Sequence, residues 1–131
     1  MKPIIVKFML LTICAFMLGC QKVNNSISDQ IVGKWAWVKS VSPWTGQASD
    51  PQSAGYSLAL EFTSDGIMKE FRNDTLSSSL NYSLEINSSE SNKYVLNYGS
   101  GLRSQLYIST DSLTINAAYV DGPVSIYSRL K

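Results

Sequence analysis

Side chains that could carry out catalysis are few in this chain. It has 131 residues and no histidine, so the most frequent general base and metal ligand is missing. Six carboxylates fall in turns or on polar strand faces, where solvation explains them: Glu61, Asp65, Glu70, Asp74, Glu85 and Glu90. No nucleophile motif, phosphate-binding loop or metal-ligand spacing occurs. We therefore expect no enzyme activity, no metal ion and no cofactor.

Aromatic side chains are the other residues that could serve a function. The chain has three tryptophans and seven tyrosines, and both residue types combine an apolar body with a polar tip that suits a pocket wall. We predict that the following line a pocket for a small apolar or amphipathic ligand: Trp37, Trp44, Phe62, Tyr82, Tyr94, Tyr98 and Tyr127. The alternative is that these rings simply fill the core.

The charge balance gives no support for a nucleic-acid partner. Eleven basic and ten acidic residues leave a formal net charge of +1, whereas nucleic-acid binding needs a basic stripe. Charged residues make up 16% of the chain and hydrophobic residues 44%. That composition is typical of a folded globular domain.

The N-terminal segment has the pattern of a signal peptide. Lys2 and Lys7 both precede an uncharged, mostly apolar run from Phe8 to Leu18. Its length is typical of the hydrophobic region of a signal peptide and is below the roughly 20 residues needed to span a bilayer. We predict that residues 1–19 are a signal peptide.

The end of this segment, Met17-Leu18-Gly19-Cys20, resembles the lipobox of bacterial lipoproteins. In that family a small residue precedes a cysteine that is lipidated and becomes the mature N-terminus; Met17 stands where the family prefers Leu. The resemblance implies that palmitate-type acyl chains on Cys20 anchor the protein in a membrane, with residues 20–29 as lipidated N-terminus and flexible tether. Gln21 is not the Asp that marks inner-membrane retention, so we expect the outer membrane, on either side.

From residue 30 onward apolar residues alternate with a period of two, which is typical of strands with one buried face. The alternating segments are 31–37, 58–62, 67–72, 82–86, 94–98, 102–108, 113–117 and 124–126. Short turn sequences separate nearly all of them, which favours sequential antiparallel neighbours. The pattern predicts that residues 30–131 form an all-β domain, an eight-stranded antiparallel up-and-down meander barrel.

One connection, residues 42–55, is long. It holds two prolines and two glycines without periodicity, and we predict a loop without regular structure, a kind that is often functional. Trp44 lies in its first half. This ring could be a binding contact or lid, or it could fold back on the barrel rim.

The first strand carries Gly33-Lys34-Trp35, and Arg129 lies near the end of the last strand. This arrangement resembles the lipocalins and the wider calycin group, in which such a Trp lies in the first barrel strand under a last-strand Arg. It implies that Trp35, Arg129 and Gly33 close one end of the barrel. If Tyr127 and Arg129 face inward, alternation turns their apolar neighbours Ile126 and Leu130 outward. A bulge near Ser128, or an Arg129 that lies across the barrel base, would resolve this conflict.

The lipocalin resemblance implies a membrane-anchored lipoprotein whose barrel binds a small apolar or amphipathic ligand. We identify no buried charge, so we expect a ligand that is neutral or carries its charge at the mouth. Two alternatives stay open. One is a protein-interaction module at the outer membrane, whose partner the sequence does not name; the other is a carbohydrate-binding sandwich.

Overall fold

The computed structural model describes residues 26–87, 92–99 and 101–131. The predicted signal peptide, Cys20, the tether up to residue 25 and Glu90 lie outside these ranges. The elements are α1 (Ile27–Ile31), β1 (Gly33–Val41), β2 (Ala48–Ser49), α2 (Pro51–Ala54), β3 (Leu58–Phe62), β4 (Ile67–Arg72), β5 (Thr75–Ile86), β6 (Lys93–Tyr98), β7 (Leu102–Ile108), β8 (Ser112–Asn116), a 3₁₀ turn (Ala118–Val120) and β9 (Val124–Arg129).

The strands form a closed barrel. Strands β1 and β3 to β9 each pair antiparallel with the next, and β1 also pairs with β9, so that the sheet closes on itself. The predicted eight-stranded up-and-down barrel is confirmed. Closure gives partners to strand edges that would otherwise invite aggregation.

One strand is longer than predicted. Strand β5 begins at Thr75 rather than at Tyr82, because Asn73 and Asp74 form a tight two-residue turn. Both have positive φ, 49° and 63°, as a type I′ hairpin turn requires. The strand therefore pairs with β4 immediately after the turn. The pairing includes serines, and because these are polar on both faces of the strand, this part of β5 shows no alternation of apolar and polar residues in the sequence.

The barrel has one plugged end, here called the closed end. Its core of fully buried side chains lies there: Ile31, Trp35, Phe62, Leu96, Leu106 and Leu113. Helix α1 covers this end, because Ile27 and Ile31 share one helix face and both pack on the core. Residues 27–29, assigned to the tether from sequence, thus belong to the folded domain.

The opposite end, here called the open end, carries the connection of residues 42–57 and the turns after β4, β6 and β8. The predicted absence of regular structure in 42–55 is wrong in part. Strand β2 pairs antiparallel with the end of β1 at Ser40 and Val41. Asp50 caps the N-terminus of α2 through a capping box with Ser53. Asp-Pro followed by a Ser at the third helical position is a helix-start signal.

A bulge in β1 sets which side chains face the barrel interior. Trp37 pairs with Tyr127, but Ile126 pairs with Lys39, so Val38 is an extra residue on β1. The bulge predicted near Ser128 is therefore on the opposite strand. The other expected arrangement, in which Arg129 lies across the barrel base, is present: its side chain lies across the closed end.

Candidate ligand-binding site

At the closed end, the Trp35 ring is fully buried. Its Nε1 donates a hydrogen bond of 2.8 Å to the Ile31 carbonyl of α1. The guanidinium carbon of Arg129 lies 4.0 Å from the centre of the same ring. The ring thus fixes the covering helix on one side and the last strand on the other.

Through backbone carbonyls, Arg129 also joins its own strand β9 to two other segments at the closed end, residues 30–32 and the turn after β7. Its Nη1 donates to Val32 at 3.1 Å, its Nε donates to Thr110 at 2.8 Å, and its Nη2 donates to Gln30. Gly33 makes room for the guanidinium, because a Cβ at this position would lie 3.0 Å from Nη1. These contacts give all three residues a structural role. A depression of about 620 Å³ lies beside Arg129 at this end, lined by Asp29, Gln30, Asn92, Ile108, Ser109 and Thr110.

A cavity of about 830 Å³ lies at the open end. Strands β1 and β9 supply Trp37 and Tyr127, which are cross-strand neighbours. The connection before β3 supplies Tyr56, whose ring stacks on Trp37 at 5.9 Å between centroids. The remaining lining residues are one carboxylate, Asp121, together with uncharged residues: Ser40, Ser42, Pro43, Gln47, Ala48, Ser49, Ser53, Leu58, Gly122, Pro123 and Ser125. The wall is therefore aromatic in places and rich in hydroxyl groups.

A smaller cavity of about 180 Å³ lies deeper in the barrel. It shares Pro123, Ser125 and Tyr127 with the open-end cavity, so the two adjoin. Its other lining residues are Leu60, Met68, Glu70, Leu96, Tyr98, Ile115 and Ala117. The barrel is thus filled in its closed half and hollow toward the open end.

Hydrogen bonds connect the polar groups of the β1 and β9 wall. The Trp37 Nε1 donates to the Ser40 hydroxyl at 2.8 Å, and the Ser40 and Ser125 hydroxyls share a hydrogen bond of 2.7 Å. Burial raises the pKa of Tyr127 to about 12, against a hydrogen bond with Ser125 that lowers it. At neutral pH this wall therefore presents uncharged hydroxyl groups.

The prediction of a solvated face for Glu70 is wrong. Glu70 pairs across the sheet with Leu60, a core residue, and lines the inner cavity. The Ser77 hydroxyl donates to its Oε1 at 2.9 Å. The signal in the sequence was Met68: a core residue two positions earlier places Glu70 on the same face of β4.

The structure brings only some of the predicted pocket residues together. Trp37 and Tyr127 line the open-end cavity, and Tyr98 lines the inner one. Trp44 lies on the turn between β1 and β2 with 74% of its surface exposed. It neither folds back on the rim nor lines these cavities.

Phe62, Tyr82 and Tyr94 belong to the closed half instead. Phe62 pairs with Gly33, its ring meets Tyr82 edge-on at 5.1 Å, and the Tyr82 hydroxyl donates to the Thr63 carbonyl. Tyr94 packs against the core. The residues that sequence reasoning missed, Tyr56, Ser40 and Ser125, lie beyond a turn or the β1 bulge, where alternation gives no guide.

The fold and site define a class: an up-and-down barrel with one plugged end and one hollow, open end. No protein-family model, curated protein or solved structure matches the chain. Among residues 26–87, 92–99 and 101–131, no helix is long and apolar enough to cross a membrane, and no three metal-ligating side chains are grouped.

Proposed function

We propose that the protein is a lipocalin-like lipoprotein that binds a small amphipathic ligand in the open-end cavity. The observation that carries this proposal is the position of the hollow space. About 830 Å³ of cavity lies at the open end, where it adjoins the inner cavity of the barrel, whereas a separate depression of about 620 Å³ lies over the packed closed end. Volumes of about 300–1,000 Å³ are typical of small-molecule sites.

The wall chemistry supports an amphipathic ligand. The rings of Trp37 and Tyr56 stack on each other and give the wall apolar surface, with the Arg72 guanidinium 3.8 Å from the Tyr56 ring centre. Aromatic rings contribute much of the binding energy in such pockets. The hydroxyls of Ser40 and Ser125 lie beside them. A ligand with an apolar body and one or two hydrogen-bonding groups would use both parts.

The lipid anchor is the second part of the proposal. Cys20 precedes α1 by only a few residues, and α1 covers the closed end. Seven residues reach at most about 25 Å. Acyl chains on Cys20 would therefore hold the closed end near the membrane, and the open end would face the aqueous compartment. Gln21, in place of the Asp that marks inner-membrane retention, favours the outer membrane.

A titration with the neutral fluorophore N-phenyl-1-naphthylamine tests the binding. The protein would carry Cys20→Ser, so that it has no acyl chain, and would be purified from the soluble fraction without the apolar segment of residues 1–19, so that it needs no detergent. We expect saturable binding that Tyr56→Ala weakens about tenfold, because the ring stacked on Trp37 is lost. The matched control is Trp44→Ala, which removes an exposed ring outside the cavity and leaves binding unchanged.

Equal losses from both variants would place the site on the outer surface, and absence of saturable binding would show the proposal to be wrong. The protein-interaction alternative would then lead. Exposed apolar residues at the open end favour it. Trp44, Tyr119 and Val120 lie on the connections, and Leu76 and Leu102 lie at the adjoining strand ends. A carbohydrate-binding sandwich is not supported, because the described strands form one closed sheet rather than two.

A further inference from the structure

The inner cavity contains one carboxylate, that of Glu70. Among the residues that line this cavity, Glu70 is the only one with an ionisable acidic or basic group other than the tyrosines. The cross-strand pairing with Leu60 places it on the inner face of the barrel. A charged group on a largely apolar wall costs free energy unless a partner compensates it.

Glu70 is half-buried, and the hydrogen-bond partner of its carboxylate within the described residues is a hydroxyl group. The Ser77 hydroxyl donates to Oε1 at 2.9 Å. Within the described ranges, the ion pairs of 4.0 Å or less join Lys69 to Glu61 and Arg103 to Glu85, and Glu70 is in neither. Arg72, at the next inward position of β4, lies over the Tyr56 ring at 3.8 Å.

The surroundings of the carboxylate would suit a positive charge. Tyr98 and Tyr127 line the same small cavity, and the faces of aromatic rings attract cations. The negative charge of Glu70 is also felt at the Tyr127 hydroxyl, whose pKa burial raises first and Glu70 raises further. An anionic ligand group would meet the same repulsion.

We propose that Glu70 makes the cavity selective for small organic cations, in which a protonated amine lies against the carboxylate and an apolar or aromatic body extends toward Trp37 and Tyr56. This inference rests on the proposed function, since it names the ligand class of that site. It also replaces the expectation of a neutral ligand. A volume of about 180 Å³ holds about six water molecules at roughly 30 Å³ each, so the group that enters is small.

Three ligands of similar shape and different charge test this selectivity by calorimetric titration of the Cys20→Ser protein. They are 2-phenylethylamine, a cation; 2-phenylethanol, which is neutral; and 3-phenylpropanoate, an anion. We expect the amine to bind about tenfold to a hundredfold more tightly than the alcohol, because hydrogen bonds between charged groups contribute that much. The anion should bind more weakly than the alcohol.

Glu70→Gln keeps the shape of the side chain and removes its charge, so the ratio of amine affinity to alcohol affinity should fall to about one. The matched control is Glu61→Gln on the outer face of β3, where the carboxylate pairs with Lys69. This variant should retain the preference. The comparison of amine and alcohol binding to the protein with Glu70 intact does not depend on whether Glu70→Gln folds. This comparison therefore tests the inference by itself.

The outcomes separate this inference from the proposed function. If the fluorophore binds but the amine binds no better than the alcohol, Glu70 does not select cations, and the cavity remains a binding site. The same conclusion follows if Glu70→Gln and Glu61→Gln behave alike, or if none of the three ligands binds. If the fluorophore does not bind either, both proposals are wrong.

Discussion

Trp35 and Arg129 occupy paired positions on the first and last strands, and the Arg129 guanidinium lies 4.0 Å from the Trp35 ring centre. The pair holds the barrel seam and the covering helix together, because the ring also bonds the Ile31 carbonyl of α1. Residues far apart in the chain thereby form a single structural unit. The consequence is a closed end whose covering helix, first strand and last strand are joined at one ring.

Trp35→Ala should lower the free energy of unfolding by about 3–5 kcal/mol, as large-to-small core substitutions do. Against a total of about 5–15 kcal/mol, such a loss could unfold the domain. Urea denaturation measures it. Trp44→Ala is the matched control and should change stability by less than about 0.5 kcal/mol, since that ring is exposed. Similar effects of the two substitutions would contradict the role of Trp35 as the plug.

Gly33→Ala should destabilise the fold more than Gly46→Ala, although both glycines have positive φ. Gly33 has φ +131°, and a Cβ there would lie 3.0 Å from Arg129 Nη1. We expect a cost of about 3 kcal/mol. Gly46 has φ +68° and open space around it, so only a backbone cost of about 1–2 kcal/mol applies. Thermal or urea unfolding of both variants would show whether this order holds.

Tyr127 should make stability fall at high pH. Its pKa is raised by burial to about 12 in the folded protein, against about 10 in the unfolded chain. Between these values the unfolded state loses the proton first, so stability decreases as pH rises from about 10 to 12, by up to about 2–3 kcal/mol. Urea unfolding at pH 9 and pH 11 covers the first half of this decrease, about 1.4 kcal/mol. Tyr127→Phe cannot ionise, and its loss of stability over the same interval should be smaller by that amount.

Cys20→Ser should abolish incorporation of labelled palmitate and prevent anchoring, because the thiol is the proposed acylation site. The protein would then appear in a soluble fraction or remain unprocessed. Cys14→Ser lies within the predicted signal peptide and is the control, with lipidation retained. Labelling of the Cys20→Ser protein, or loss of labelling in Cys14→Ser, would refute this assignment. Fractionation of membranes and metabolic labelling are the measurements.

The alternation of apolar residues and the turn residues between them determined the strands and their order. Leu58–Phe62 and Ile67–Arg72 are strands with the predicted bounds. Local patterning suffices there because each strand pairs with the next across a short turn. The Gly33-Lys34-Trp35 motif and Arg129 also indicated which residues would meet, since closure of a meander makes the first and last strands neighbours.

Only the tertiary structure decided how high in the barrel each side chain lies and which face it presents after an irregularity. Alternation defines two faces of a strand, but the stagger between strands sets the end that a residue approaches. Phe62 and Tyr82 therefore lie in the closed half although they point inward. The extra residue at Val38 reverses the alternation on β1, and so places Ser40 beside Ser125. Glu70 faces the cavity because its register partner is Leu60, and its own polarity gives no indication of this facing; only the core position of Met68 on the same strand does.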